Sequence, residues 1–297
     1  MLDVVIIGSG PAGITAAIYA KRANLNVAVV EKEYLGTGQI AESSRVDNYP
    51  GIPGIDGYSL GEKFREHAES LGVEFTEAQV LSLGQKDGIW IIGCDEDITL
   101  ESKAVIYATG CKNRPLGVPG EEKYYGRGLS FCAVCDGAFY KGKRVAVIGG
   151  GDTALDDAMY LSDICEKVYL VHRREFFRGS ASTLEKLKQK ENLEIIVNAR
   201  VEEITGDKKI DGIILDNKTK LNISGLFAAV GMIPQTELLK EFGVLDESNY
   251  VKASEDTKTT VNGLFAAGDV RTKQLRQVIT AAADGANAAS QVIKYLK

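Results

Sequence analysis

The chain has 297 residues, 44% hydrophobic and 26% charged, a composition typical of a globular protein with about two domains. Its net charge of -6 argues against nucleic acid as a partner, because phosphate backbones are bound by basic surfaces, and an odd number of cysteines, five, does not suit a disulfide-stapled secreted domain. No apolar run approaches the length of a transmembrane span and the N-terminus does not resemble a signal peptide, so we expect a cytoplasmic protein with no membrane partner.

The N-terminal residues predict a nucleotide-binding unit. Residues 2 to 7 are almost all apolar, as expected of a strand buried on both faces of a parallel sheet. The strand leads directly into a G-x-G-x-x-G turn and a helical pattern, which is the context in which this motif binds a pyrophosphate. Glu31 ends the next strand, where a carboxylate accepts hydrogen bonds from a ribose diol and repels a 2′-phosphate, so we expect FAD or NAD rather than NADP. The turn consists of Gly8, Ser9, Gly10, Pro11, Ala12 and Gly13.

The following segment predicts a functional loop and the rest of a sheet. Residues 36 to 57 are rich in glycine and proline, and ordered loops of this length are usually functional. Residues 59 to 71 have the spacing of an amphipathic helix, for which we expect Ser59 to be the N-cap. Cys111 follows a tight turn and is expected to be a small buried side chain. Strands are predicted at residues 73–75, 79–83, 89–92 and 104–107.

Two cysteines separated by two residues, Cys132 and Cys135, form a candidate redox centre. A pair with this spacing can close a small disulfide ring, and its thiols exchange readily when a helix N-terminus lowers their pKa. Asp136 is adjacent and could donate a proton. A zinc site is the alternative, but a structural site needs four ligands and the other three cysteines stand alone. We therefore favour a redox-active dithiol and expect no metal.

A second nucleotide-binding unit follows the dithiol. Residues 144 to 148 predict a buried strand leading into a G-x-G-x-x-A turn, and the next strand ends at His172, where the first unit has Glu31. Three arginines follow, and their planar guanidinium groups suit a 2′-phosphate, so we favour NADP over a merely solvated basic face. We expect His172 to pack or stack there rather than to catalyse. The residues assigned to this nucleotide are Gly149, Gly151, Asp152, Thr153, His172, Arg173, Arg174 and Arg178.

The chain order predicts an insertion. Turn-rich segments at residues 113–120 and 231–234 are expected to be crossings between two domains. After the second crossing, a short buried strand ends at Gly268 and Asp269, and an alanine-rich helix over residues 277–296 completes the first domain. We therefore predict an α/β fold of two Rossmann-like nucleotide-binding domains, the second inserted into the first. Because the dithiol and the second nucleotide turn share the inserted domain, we also expect this domain to rotate during turnover.

With these motifs combined, the chain resembles the bacterial thioredoxin reductases of the low-molecular-weight type over essentially its whole length. The glycine motifs are common, but the sequence from Cys132 to Gly137, the His172 to Arg174 triplet, Gly268-Asp269 and Arg276-Gln277 together are specific. The resemblance implies a homodimer that passes electrons from NADPH through FAD and the Cys132–Cys135 disulfide to thioredoxin, with Asp136 as the acid. Two positions depart from the usual pattern, Thr37 and Cys111, where that family has glycine and alanine.

The resemblance also implies which part of the chain holds each cofactor. Residues 1–114 and 246–297 would form a discontinuous FAD-binding domain, and residues 115–245 an NADPH-binding domain that carries the redox disulfide. Two alternatives stay open: a related flavoprotein reductase for another dithiol carrier, and, in a different class, a non-catalytic NADP-binding module. The residues implied for FAD are Gly8, Ser9, Gly10, Pro11, Ala12, Gly13, Glu31, Lys32, Gly38, Gln39, Asn48, Val80, Thr109, Gly110, Gly268, Asp269, Arg276, Gln277 and Val278.

Overall fold

The structure is a computed structural model that describes residues 1–33, 37–43 and 45–297. Gly36, where the predicted loop begins, lies outside the described residues. The helices are α1 (Pro11–Arg22), α2 (Gly57–Ser70), α3 (Ala133–Asp136), α4 (Asp152–Ile164), α5 (Ala181–Lys188) and α6 (Val278–Tyr295). The strands are β1 (Leu2–Ile7), β2 (Val27–Glu31), β3 (Glu74–Glu77), β4 (Val80–Lys86), β5 (Ile89–Cys94), β6 (Thr99–Tyr107), β7 (Cys111–Asn113), β8 (Leu129–Ser130), β9 (Arg144–Gly149), β10 (Lys167–His172), β11 (Leu193–Val197), β12 (Val201–Thr205), β13 (Gly212–Leu215), β14 (Lys220–Asn222), β15 (Gly225–Ala229), β16 (Met232–Pro234) and β17 (Leu264–Ala266).

The chain divides into two compact units. The first unit consists of Met1–Lys112 and Ile233–Lys297, and the second of Asn113–Met232. The chain returns to the first unit at Ile233, earlier than the predicted boundary at residue 246, because Leu239 and Val244 are buried in the core of the first unit. The predicted α/β fold of two Rossmann-like units, one inserted into the other, is confirmed.

The two segments that connect the units pair with each other as strands β7 and β16. On the side of the first unit, the Gln235 amide donates a hydrogen bond to the Gly110 carbonyl at 3.1 Å. On the side of the second unit, the Arg114 amide donates to the Gly231 carbonyl at 3.0 Å. The inserted segment therefore enters and leaves through neighbouring strands.

The first unit is built on a seven-stranded sheet in the order β3-β2-β1-β6-β5-β4, with β17 paired to β6. Its central strand β1 is parallel to β2 and β6. Val4 and Ile6 join the hydrophobic cluster on one face, whereas Val5 and Ile7 join the cluster on the other. Successive residues of a strand point to opposite faces, so a strand covered on both sides must be apolar throughout.

Helices α1 and α6 pack at very short distance in this unit. A Cβ atom added to Gly285 of α6 would lie 2.1 Å from the Ala12 carbonyl oxygen of α1, so only glycine fits there. Helix α2 begins earlier than predicted, and its N-cap is Asp56 instead of Ser59. The reason is that the Asp56 carboxylate accepts hydrogen bonds from both the amide and the hydroxyl group of Ser59, at 2.9 and 2.8 Å.

The second unit contains a five-stranded parallel sheet in the order β11-β10-β9-β15-β8. Its core strand β9 is buried from Val145 to Gly149, and the segment forms the strand and turn predicted there. A separate three-stranded antiparallel sheet, β12-β13-β14, was not predicted, because the exposed glutamates of β12 and the short β14 hide the alternation. Within the described ranges, no helix of either unit is both long and apolar enough to cross a membrane.

Candidate active site

The dithiol lies at the end of strand β8, at the edge of the parallel sheet in the second unit. Cys132 is the N-cap of the single-turn helix α3, and Cys135 is its third residue. The two sulfurs form a disulfide with a Cα–Cα distance of 5.3 Å, and the Cys135 amide lies 3.2 Å from the Cys132 sulfur. The predicted pairing is confirmed. No cluster of three or more potential metal ligands occurs among the residues that the structure describes.

Asp136 directly follows the disulfide and is half-buried. Burial raises the pKa of its carboxyl group, while a hydrogen bond from Ser130 opposes that rise. The Ser130 hydroxyl lies 2.6 Å from Oδ2 of Asp136, and it also accepts a hydrogen bond from the Cys132 amide at 3.1 Å. A carboxyl group with a raised pKa next to a disulfide is suited to donating a proton to a thiolate.

The glycine turn of the second unit leaves one position open. A Cβ atom at Gly149 would lie 2.4 Å from the Ala229 carbonyl oxygen, and one at Gly150 would lie 2.2 Å from the His172 ring. At Gly151, by contrast, no described atom lies within 4 Å. Gly151 is the N-cap of α4, and no side chain caps the first amides of that helix. Such a helix N-terminus is suited to a phosphate group.

The segment after β10 is tied to this turn by main-chain hydrogen bonds. The Arg178 amide donates to the Gly150 carbonyl at 2.7 Å, and the Ser180 amide donates to the Asp152 carboxylate at 2.7 Å. His172 is buried at 6% exposure, and its Nε2 lies 3.2 Å from the Phe176 carbonyl oxygen. Burial and the neighbouring arginines lower its pKa, so the ring is neutral and packs in the fold as predicted.

The arginine side chains of this segment are available to a ligand. Arg173, Arg174 and Arg178 are all exposed, and Thr153 is exposed at the start of α4. None of the three arginines forms a salt bridge with a residue in the described part of the chain. The main chain of this segment is hydrogen-bonded to the glycine turn, so the three arginines start close to the N-terminus of α4 in the chain fold.

The glycine turn of the first unit also has two positions at which an added Cβ atom would clash and one at which it would not. Gly8 has a φ angle of +103°, and a Cβ atom there would lie 2.6 Å from the Ala108 carbonyl oxygen. At Gly13 an added Cβ atom would lie 1.9 Å from the Gly8 carbonyl oxygen, so the turn and helix are in contact. Gly10 faces open space, with one described atom, the Thr37 carbonyl oxygen, within 4 Å at 3.8 Å. Pro11 then begins α1, where its missing amide hydrogen costs nothing.

Glu31 is held directly beside this turn. Its Oε2 accepts hydrogen bonds from the Ser9 amide at 3.0 Å and the Ser9 hydroxyl at 3.1 Å, and Oε1 accepts from the Lys32 amide at 2.8 Å. The carboxylate therefore has a fixed orientation at the carboxyl end of β2, as the dinucleotide motif requires. Gly38 lies against Gly10, since a Cβ atom on it would be 3.5 Å from the Gly10 Cα atom.

The remaining residues predicted for FAD lie in several parts of the first unit, and two of them are in direct contact. Asn48 donates a hydrogen bond to the Gln277 side chain at 2.9 Å, although 229 positions separate them. Thr109 donates to the Gln235 carbonyl at 2.7 Å, while Val80 packs against the hydrophobic core at the start of β4. Gln39 lies in a 3-10 helix (Gly38–Glu42), Gly110 has a φ angle of +67°, and Val278 begins α6 after the Gln277 cap.

Asp269 provides the test of whether a cofactor fits here. Its Oδ1 atom is buried and has no hydrogen-bond partner among the described residues, and burial raises the pKa of the carboxyl group. A buried acceptor without a donor is uncommon, so this atom is suited to a ligand hydroxyl group. Arg276 lies over the Tyr250 ring at 4.3 Å and donates to the Asp269 carbonyl at 3.4 Å. The orphaned oxygen and the open Gly10 both fit a bound dinucleotide.

Cys111 lies next to Asp269, one of the residues predicted to bind FAD. Its thiol donates a hydrogen bond to the Asp269 carbonyl at 2.8 Å. Burial raises its pKa to about 12, so the thiol remains protonated at neutral pH. The prediction of a small buried side chain is confirmed, but its contact with a candidate FAD residue was not foreseen.

The sequence reasoning missed the residues that hold Gly268 and Asp269 in place. Asp284 of α6 accepts a hydrogen bond from the Gly268 amide at 2.9 Å. It also forms ion pairs with Arg271 at 2.7 Å and Lys273 at 2.9 Å, and the side chains of all three are nearly inaccessible. The available signal was a single acid among the alanines of α6, at a position where an apolar residue would be expected.

The comparisons with known proteins agree with this arrangement. Residues 2–285 match the family described as pyridine nucleotide-disulphide oxidoreductase. The chain is 40% identical to the thioredoxin reductase of Helicobacter pylori, covering 100% of this chain and 99% of that protein. It is also 40% identical to a 34.2 kDa protein in the rubredoxin operon of Clostridium pasteurianum, covering 99% of this chain and 97% of that protein.

A solved structure shows the same similarity to thioredoxin reductases. The thioredoxin reductase from Streptococcus pyogenes has a TM-score of 0.93 and 40% sequence identity, covering 100% of this chain and 98% of that one. The resemblance predicted from the motifs is thereby confirmed. With its paired cysteines and two glycine turns in place, the chain belongs to the pyridine nucleotide-disulphide oxidoreductase family, in which it is similar to the bacterial thioredoxin reductases.

Proposed function

We propose that this protein is an NADPH-dependent thioredoxin reductase that uses FAD and the Cys132–Cys135 pair. The observation that carries the proposal is a disulfide at the end of a parallel strand, next to a half-buried acid with a raised pKa. The same unit contains a nucleotide turn flanked by three exposed arginines. The names of the relatives support thioredoxin as the substrate.

In this proposal each unit holds one cofactor. The turn from Gly8 to Gly13, Glu31 and Asp269 bind FAD in the first unit. The N-terminus of α4 and the three arginines bind NADPH in the second, with the guanidinium groups on the 2′-phosphate. The flavin, when bound, supplies the chemistry that turns a hydride from the nicotinamide into an electron pair for a disulfide.

The protein's own residues stabilise the thiolate and supply the proton. Reduction of the Cys132–Cys135 bond adds two electrons and leaves sulfur atoms that need protons. The Cys135 amide, 3.2 Å from the Cys132 sulfur, stabilises a thiolate there, and Asp136 supplies a proton to a departing sulfur. The dithiol then exchanges with the disulfide of thioredoxin, which is reduced as the Cys132–Cys135 bond re-forms.

Three further expectations belong to the same proposal. By resemblance to the bacterial enzymes, the protein acts as a homodimer, in the cytoplasm. Rotation of the inserted domain during turnover stays a prediction, and it is based on the placement of both redox partners of the flavin in one segment of the chain.

The direct test is to purify the full chain, add FAD and measure NADPH oxidation in the presence of a bacterial thioredoxin. We expect a yellow protein whose NADPH consumption depends on the thioredoxin disulfide. A non-catalytic NADP-binding module would instead be colourless and show no turnover. A protein that takes up FAD but reduces only a glutaredoxin-like carrier would support the related reductase. Failure to take up FAD would overturn both enzymatic readings.

The arginines give a separate prediction about NADPH. Replacing Arg173 and Arg174 by alanine should lower the preference for NADPH over NADH, because each lost charge-assisted contact is worth about 1.5 to 3 kcal/mol, or roughly ten- to a hundredfold in affinity. The measurement is the ratio of kcat/KM for the two nucleotides. Arg200→Ala is the control, since Arg200 is an exposed arginine on another loop of the same unit. An unchanged ratio in the double variant would show that these arginines are only a solvated surface.

A further inference from the structure

Ser130, which no motif singled out, makes contact with both the acid and the dithiol. It is the last residue of β8 and is 5% exposed. Its hydroxyl oxygen lies 2.6 Å from Asp136 Oδ2, 3.1 Å from the Cys132 amide nitrogen and 3.4 Å from the Cys132 carbonyl oxygen. A serine hydroxyl has one hydrogen and two lone pairs, so it cannot donate to the carboxylate and the carbonyl at the same time. Its hydrogen bonds must therefore depend on whether Asp136 carries a proton.

The distances allow one arrangement for each protonation state. When Asp136 is ionised, the Ser130 hydroxyl donates to Oδ2 and accepts from the Cys132 amide. When Asp136 is protonated, its O–H group donates to the Ser130 oxygen, and the serine hydrogen turns toward the Cys132 carbonyl. The Cys132 amide keeps its acceptor in both arrangements. No main-chain movement is needed, because the change is a rotation about one C–O bond.

We propose that Ser130 is a positioning residue that keeps Asp136 hydrogen-bonded in both protonation states and so sets the pH at which this acid releases its proton. The inference rests on the function proposed above, in which Asp136 protonates a sulfur atom. In that step the O–H bond of Asp136 breaks and an S–H bond forms on a thiolate. The serine hydrogen then returns from the Cys132 carbonyl to the new carboxylate, and no electrons move to or from either residue.

The direction of the effect follows from the surroundings of Asp136. Burial favours the neutral acid, whereas the serine hydroxyl favours the carboxylate and lowers its pKa. A hydrogen bond to the charged carboxylate is stronger than one from the neutral acid, so loss of the hydroxyl destabilises the ionised state more and the pKa of Asp136 rises. The strand beside β8 contributes the apolar ring of Phe227 at this position, which cannot replace the lost hydrogen bond.

The titration of Asp136 must be distinguished from that of other titratable groups in its surroundings. Tyr140 follows in the next turn, where burial and the charge of Asp136 raise the pKa of its hydroxyl group. On α4, Tyr160 approaches Gly137, and Asp157 lies one turn before Leu161, which contacts the same glycine. Burial and the adjacent Asp156 raise the pKa of Asp157 to about 7, so its titration falls in the range of interest. Lys143 lies in the same region, with its ammonium 5.6 Å from the Tyr140 ring, and the two cysteines do not titrate while they are joined in the disulfide.

The experiment compares serine, alanine, threonine and valine at position 130 in the full-length protein. Threonine and valine have nearly the same shape but only threonine has a hydroxyl group, so Ser130→Thr against Ser130→Val separates hydrogen bonding from packing. The pKa of Asp136 is measured in the oxidised protein from the carboxyl carbon-13 shift of labelled aspartate. The signal is assigned by its absence in Asp136→Asn. This measurement needs neither cofactor nor turnover.

We expect the alanine and valine variants to raise the pKa of Asp136 by about one unit, a tenfold change in its ionisation constant, while threonine stays near serine. The same shift should persist in an Asp157→Asn background. In turnover with NADPH and thioredoxin, the pH profile should move in the same direction, and in Asp136→Asn it should no longer respond to the residue at position 130.

Equal Asp136 pKa values in the threonine and valine variants would overturn the proposal. So would a turnover profile that still changes with residue 130 when Asp136 is asparagine, because Ser130 would then act by another route. Failure of the proposed function is distinguishable from both: the wild-type protein would not reduce thioredoxin, and the carbon-13 titration would still report the Ser130–Asp136 contact.

Discussion

Replacement of either Cys132 or Cys135 by serine is expected to abolish NADPH-dependent reduction of thioredoxin. A serine hydroxyl cannot form a disulfide, so the electron pair has no route out of the protein once one sulfur is lost. Bleaching of the flavin absorbance by NADPH should survive in both variants, because it does not involve the dithiol. The measurement is steady-state turnover with thioredoxin, together with anaerobic reduction followed by absorbance.

The matched control is Cys165→Ser in the same unit. Cys165 is a buried free thiol that hydrogen-bonds to the Tyr140 carbonyl, and serine can keep that bond. Thioredoxin reduction should continue in this variant. Ordinary turnover in Cys132→Ser or Cys135→Ser would place the dithiol outside the electron path and would contradict the proposed function.

The second large effect is expected at Asp284, whose replacement by alanine should lower the free energy of unfolding by about 3 to 5 kcal/mol. Arg271 and Asp284 are 2% and 3% exposed, so loss of the carboxylate leaves buried positive charge without its partner. The Gly268 amide loses its acceptor as well, and FAD affinity should fall with it. Denaturant unfolding measures the first effect, and flavin titration measures the second.

Glu255 offers a matched comparison on the same arginine. It lies 3.2 Å from Arg271, but its side chain is 88% exposed, so Glu255→Gln should cost under about 1 kcal/mol. Equal losses in Asp284→Ala and Glu255→Gln would contradict the assignment of a buried ion pair.

Acid should remove the contribution of Asp284. Burial alone would raise its pKa, but the hydrogen bonds and charges of Arg271 and Lys273 prevail and lower it. A carboxylate with a lowered folded-state pKa stabilises the protein above its unfolded value of about 4, and that stability is lost as the pH falls through the folded value. Asp284→Ala should therefore show a shallower loss of stability on acidification than the wild type.

The elements that were predicted best are those specified by neighbouring residues. Strand β1, the Gly8 to Gly13 turn and α1 were found where expected, because an apolar run, a glycine turn and a helical pattern are local signals. The Cys132–Cys135 pairing was also accessible, since two residues between cysteines leave few other geometries.

The contacts that could not be predicted from the sequence join residues that are far apart in it. No local pattern connects Asn48 with Gln277, or the Gly268 amide with Asp284. The domain boundary at residue 246 lies later than the observed return at Ile233, although the predicted crossing at residues 231–234 agrees with that return. Ser130 was missed for a similar reason: a serine before a cysteine pair is unremarkable until its distance to Asp136 is known.

Because β7 pairs with β16, the inserted unit can be deleted and the two ends of the first unit rejoined. Lys112 and Ile233, the residues of the first unit that flank the insertion, lie on these two paired strands. Adjacent strands are about 4.8 Å apart, so a linker of a few residues can close the first unit after deletion of 113–232. The deleted segment can likewise be produced alone or replaced by a foreign domain. Under the proposed function, FAD binding and NADPH binding would then be measured in separate proteins.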